Sequence, residues 1–173
     1  MNRLTVCLML ASVCGHATAR GVYQEPESFI AEVFAAQPPP PQRLIISEAL
    51  ADRIRDILGR NLGVKRLRYW QKNRRTAWIL EEIGKEEPIT TGIVIDRGRI
   101  ERVKVLIFRE SRGWEVRYPA FTDQFNDAQL APDGKLDRYI DGVSGATLSV
   151  TALKKLARLA LVLDKHVQTS SAQ

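Results

Sequence analysis

The stretch from Thr76 to Phe108, TAWILEEIGKEEPITTGIVIDRGRIERVKVLIF, constrains the fold more than any other part of the chain. Three runs rich in Ile, Val and Thr are cut by GKEEP and by DRG. Runs of this length, separated by a few turn residues, read as strands joined by hairpins. Gly98, after Asp96 and Arg97, suits a hairpin turn that needs a positive φ. A further run, VKRLRYW, precedes them. Together they predict a meander of about four antiparallel strands. The alternation of Ile100, Val103, Val105 and Ile107 is imperfect, which a bulge near Arg102 accounts for.

The flanking segments read as helices, so the fold class is α+β: an antiparallel meander packed with helices, with a loop leading into a C-terminal helix. Pro26 suits a first helical turn, and Phe29, Ile30, Val33 and Phe34 fall on one face behind it. The run Pro38 to Pro41 ends that helix as a stiff spacer. In SEALADRIRDILG, Ser47 is an N-cap, Leu50, Ile54, Ile57 and Leu58 line one face, and Gly59 is the stop. PAFTDQFNDAQL predicts a short helix with Phe121 and Phe125 on one side. APDGKLDRYI predicts a turn at Pro132-Asp133-Gly134 and a short strand. Leu153, Leu156, Ala157, Ala160 and Leu163 mark a last helix from Val150 to about Val167.

At 173 residues, 45% hydrophobic and 27% charged, the chain suits one globular domain with short extensions. Its start, MNRLTVCLMLASVCGHATAR, has a basic residue, a short apolar run and the small-x-small site Ala17-Thr18-Ala19, the layout of a secretory signal peptide. The apolar run is shorter than the ~20 residues of a membrane-spanning helix. The expected organisation is a signal peptide over 1–19, a helix and Pro-rich spacer over 20–45, the domain over 46–167 and a frayed tail over 168–173. Cleavage near Ala19 would place the protein in the periplasm or on the extracytoplasmic face of the inner membrane. It would also remove both cysteines, Cys7 and Cys14, which excludes a thiol nucleophile or a Cys-based metal site in the mature chain.

The formal net charge is +6. Basic proteins bind nucleic acid, anionic membranes or acidic partners; export argues against nucleic acid. The cluster Lys65, Arg66, Arg68, Lys72, Arg74 and Arg75 is either a solvated face or a surface that steers an acidic redox partner or contacts the membrane peripherally. His166 sits near a helix C-terminus, where a cation is favourable, and no nucleophile is evident beside it.

One loop carries chemistry. Asp141-Gly142-Val143-Ser144-Gly145-Ala146-Thr147-Leu148-Ser149 places hydroxyls and small residues ahead of the last helix. Ser and Thr there can simply cap free N–H groups. The same N–H groups and the positive end of the helix dipole also suit a phosphate, and Gly145 and Ala146 let a ligand approach the backbone.

The whole stretch resembles the flavinylation motif of the FMN-binding domain family, D-x-x-[ST]-G-A-T-x-[ST]. That family includes the C subunit of the sodium-pumping NADH:quinone reductase and the G subunit of the Rnf complex. The resemblance covers roughly Thr76 to Val167 and is similar to small exported members. It implies FMN as cofactor, held covalently by a phosphoester on Thr147 and installed by a flavin transferase that uses FAD and Mg2+. It makes Ser144, Gly145, Ala146, Leu148, Ser149 and Asp141 the cofactor-binding loop and implies a membrane-bound redox partner. Many members carry His-x-Glu-Thr where this chain has Phe108-Arg109-Glu110-Ser111, so the carboxylate is kept and the histidine is not. Glu110 then bonds the ring or a ribityl hydroxyl, or else pairs with Arg109 or Arg112. Trp114 and Phe125 are candidate walls for the isoalloxazine, with core packing as their alternative and as the favoured role for Phe121. Asp141 orders the loop or assists attachment, or forms a turn with Gly142. The expected function is an exported electron carrier between a membrane reductase and an extracytoplasmic acceptor. A flavin-dependent reductase of a small acceptor and a non-redox FMN-binding module are the alternatives.

Overall fold

The computed structural model describes residues 21–170. The expected signal peptide and its cleavage site lie outside them. Among the described residues, six strands form one antiparallel sheet: β1 (Gly21–Val22), β2 (Gln42–Ile45), β3 (Arg66–Lys72), β4 (Arg75–Ile83), β5 (Pro88–Asp96) and β6 (Arg99–Phe108), in the order β1-β6-β5-β4-β3-β2. The expected meander is its centre, β3 to β6. The turn between β5 and β6 has Arg97 at φ 50° and Gly98 at φ 77°, the backbone of a tight hairpin turn that follows the twist of its strands. The pairing of β5 with β6 shifts register twice, once between Val94 and Ile95. Val94 faces Arg102 and Ile95 faces Ile100, so Glu101 is the extra residue, beside the expected position.

Residues 21–45 do more than hang from the domain. They supply both edge strands, β1 beside β6 and β2 beside β3. Between these lies α1 (Pro26–Val33), with Pro26 in its first turn. Its residues Phe29, Ile30 and Val33 form a buried cluster with Trp70, Ala77, Val94 and Leu106. Phe29 lies so close to Gly92 of β5 that a β-carbon there would stand 2.5 Å from its ring.

Alternation along the strands sends the neighbouring residues Trp78, Ile93, Ile95 and Val105 to the other face. That face is covered by α4 (Thr147–Ser170), which packs on β4, β5, β6 and on α2 (Glu48–Leu58). As expected, the Ser47 side chain accepts from the Leu50 N–H, and Gly59 closes α2 in the left-handed conformation. Tyr69 and Trp78, directly opposite on β3 and β4, stack at 4.9 Å. The Trp78 indole N–H donates to Thr76 Oγ1, and that hydroxyl donates to the buried Asp164 of α4.

Three local expectations are corrected. Helix α4 starts at Thr147, three residues before Val150, and continues to Ser170. The short strand expected in KLDRYI is reduced to one bridge between Leu130 and Leu136. PAFTDQF forms a single helical turn, α3 (Pro119–Thr122), that tightens into a 3-10 turn over Asp123–Phe125.

Candidate functional site

Three loops meet at one end of the sheet: residues 84–87 between β4 and β5, residues 109–113 after β6, and the 141–146 loop before α4. The first is held by a carboxylate. Glu110 is buried and its Oε1 accepts the backbone N–H groups of Lys85, Glu86 at 2.7 Å and Glu87 at 3.0 Å. Converging backbone donors of this kind form a nest for an anion. Burial pushes the Glu110 carboxyl up, but the three backbone donors and the nearby Lys85 charge outweigh it and hold it below its usual value. A β-carbon on Gly84 would stand 2.8 Å from Oε1, so the turn closes on this carboxylate because residue 84 has no side chain.

The second loop is pressed onto α4. Gly113 has φ 81°, and a β-carbon on it would lie 3.0 Å from Ala146 Cβ and 3.1 Å from Ser149 Oγ. The third loop ends in a tight turn: Gly145 has φ 76° and the Ala146 N–H donates to the Val143 carbonyl at 3.0 Å. Ala146 and Ser149 are thereby buried against the domain, while Ser144, Gly145, Thr147 and Leu148 stay exposed. Thr147 is the first residue of α4, at the positive end of the helix dipole.

Together the loops enclose a cleft of about 600 Å³. Gly145, Ala146, Thr147, Leu148 and Ser149 form one side; Lys85, Glu110, Ser111 and Arg112 form the other. The donor set suits an anion beside the Thr147 hydroxyl: two exposed cations, a helix N-terminus and small residues at the backbone. The Lys85 ammonium pairs with its exposed neighbour Glu86, at 2.9 Å, a contact of little strength in water.

The sequence-derived residues divide accordingly. Glu110 and the 145–149 stretch come together in the cleft, while Ser144 is exposed and does not line it. Glu110 forms neither of the salt bridges expected for it. Arg109 instead donates to the Pro88 carbonyl and to Thr90 Oγ1, with Glu81 at 3.6 Å. Phe125 is fully buried in the core, edge-on to Phe121 at 5.6 Å. Trp114 is half-buried and meets Tyr118 edge-on at 5.5 Å. Neither aromatic lines the cleft, and Asp141 does not line it either; the Asp141 N–H donates to Gln124 Oε1 at 2.7 Å. Gly84, Lys85 and Gly113 carry no expectation from the sequence, and Arg112 enters it only as a salt-bridge candidate for Glu110. The acid-rich turn GKEEP reads as a mere separator, and nothing local in the sequence connects it to a loop 60 residues later.

The family model for the FMN-binding domain matches residues 84–162. No curated protein and no solved structure matches the chain. The matched segment opens at the turn clamped by Glu110, includes every residue that lines the cleft and ends well inside α4. Residues 84–162 of this chain thus match the FMN-binding domain family, and that match supports FMN as the cofactor.

Proposed function

We propose that this protein is an exported flavoprotein that carries FMN on Thr147 through a phosphoester bond and relays electrons between a membrane-bound reductase and an extracytoplasmic acceptor. The observation that carries the reading is the position of Thr147: an exposed hydroxyl on the first residue of a long helix, inside a cleft that also holds Lys85 and Arg112. An ester at that oxygen sets the phosphate beside free helix N–H groups and two cations, where a negative charge is most stable. Gly145 and Ala146 leave room for it, and Gly113 and Glu110 hold the opposing loops in place. The bound flavin supplies one- or two-electron chemistry; the protein orients it and tunes it. Attachment through the phosphate leaves the ring free to meet a partner. Attachment itself falls to a flavin transferase using FAD and Mg2+.

The test is the intact mass of the mature protein co-expressed with a flavin transferase, for the native chain and for Thr147→Ala. The expected result is a gain of one FMN less water in the native chain alone. No gain, with the transferase active on a control substrate, would overturn the covalent reading and leave non-covalent FMN binding in its place.

A further inference from the structure

The end of the sheet opposite the cleft is strongly basic. The turns between β3 and β4 and between β5 and β6 lie side by side there, because Arg75 pairs with Asp96 where both hairpins close. Arg74 and Arg97 project from these turns and are exposed. They form a shared wall between two hollows. One, of about 620 Å³, also contains Lys72 and Arg75; the other, of about 410 Å³, contains Lys165. The basic cluster that looks continuous in sequence is therefore split. Lys65, Arg66 and Arg68 lie at the far end of β3, while Lys72 and Arg74 join Arg97 and Lys165 from distant parts of the chain.

Few acids offset these charges. Arg75 is paired with Glu101, and Arg97 has Asp96 at 3.8 Å. Lys72, Arg74 and Lys165 take part in no salt bridge among the described residues. Asp164, on the floor of the second hollow, is buried and accepts from Thr76 and Gln168. A protein-binding surface places aromatic or apolar anchors at its centre. None of the exposed large apolar side chains among the described residues lines either hollow.

We infer that this end docks on an anionic lipid surface, with headgroup phosphates seated around Arg74, Arg97 and Lys165. Lys165 follows Thr147 by 18 helical positions, roughly 27 Å at 1.5 Å per residue. A protein docked by this end holds the FMN cleft away from the bilayer and open to a partner. The inference is independent of how FMN is attached.

The experiment is co-sedimentation of the full chain with phosphatidylcholine vesicles, with or without phosphatidylglycerol. The quantity read is the excess binding to the anionic vesicles, since an apolar N-terminal run would partition into both. Excess binding is expected at low salt and is lost at high salt. The variant Arg74→Glu, Arg97→Asn, Lys165→Glu should weaken it on the order of a hundredfold, three basic contacts at the usual strength. Asn is chosen at 97 because it tolerates a positive φ. Lys85→Glu with Arg112→Glu, at the other end, should leave the excess largely intact. Absence of any excess, an unaffected triple variant, or equal loss in both variants would overturn the inference. Should the triple variant fold poorly, the native chain decides. Trypsin cleavage after Arg74 and Arg97 should slow on anionic vesicles and not on neutral ones, and unslowed cleavage overturns the inference as firmly.

Discussion

Gly113 and Ala146 are in such close contact that a β-carbon on the glycine would stand 3.0 Å from the alanine's own β-carbon. This contact presses the loop after β6 onto the start of α4. It makes one wall of the cleft answer to the other. Gly113→Ala should be destabilising by about 2–4 kcal/mol, from the left-handed backbone and from overpacking together. Chemical denaturation would measure it. A loss below about 0.5 kcal/mol, the size of an ordinary surface change, would mean that the loop is not pinned as described. Reduced FMN loading in the fraction that stays folded is expected alongside.

Glu110 ties stability to pH. Its carboxyl is held below the ordinary value of 4.5, so the ionised form is favoured by folding. The contribution is fully present above that ordinary value and fades as the pH falls through the lowered one. Glu110→Gln keeps an acceptor and loses the charge, and should cost about 1–3 kcal/mol at neutral pH. The difference between variant and native protein should shrink under acid. Urea unfolding across the acid range checks this; a difference that stays constant there would rule out the charge as the cause.

Asp164 runs the other way. Burial raises its carboxyl above the ordinary 3.8, more than the Thr76 and Gln168 donors lower it. The neutral form is favoured by folding, so the contribution is present below 3.8 and lost as the pH rises through the raised value. Asp164→Asn keeps an acceptor for Thr76 without that loss. It should be at least as stable as the native protein at neutral pH and lose any advantage in acid. Parallel stability curves for the two proteins would contradict this, and a much less stable Asn variant at neutral pH would as well.

Much of the fold was legible locally. The hairpin at Arg97-Gly98, the Ser47 cap, the Gly59 stop and the bulge beside Arg102 follow from a few neighbouring residues each, because backbone preference at a turn or cap is a short-range property. The role of Phe125 was not legible in this way. An aromatic next to a cofactor motif can face a ligand or the core, and only packing against Phe121 and the β-sheet decides which. The edge strands β1 and β2 are not legible in the sequence, because a two-residue or four-residue strand has no periodicity to read; each exists only because a longer neighbour offers it hydrogen bonds.

The cleft shows the same division. The motif loop, the hydroxyl at Thr147 and the helix behind it are legible in the chain, because these occupy consecutive positions. What faces them depends on the folding of distant segments. Glu110 turned out to grip the 84–87 turn instead of reaching for a ligand or an arginine, and that grip sets Lys85 across from Thr147. The basic end was decided in the same way, since Arg74, Arg97 and Lys165 come from two hairpins and a helix. Local preference acts through bonded neighbours, whereas a site is made of groups that folding brings together from far along the chain, and no short-range rule carries that information.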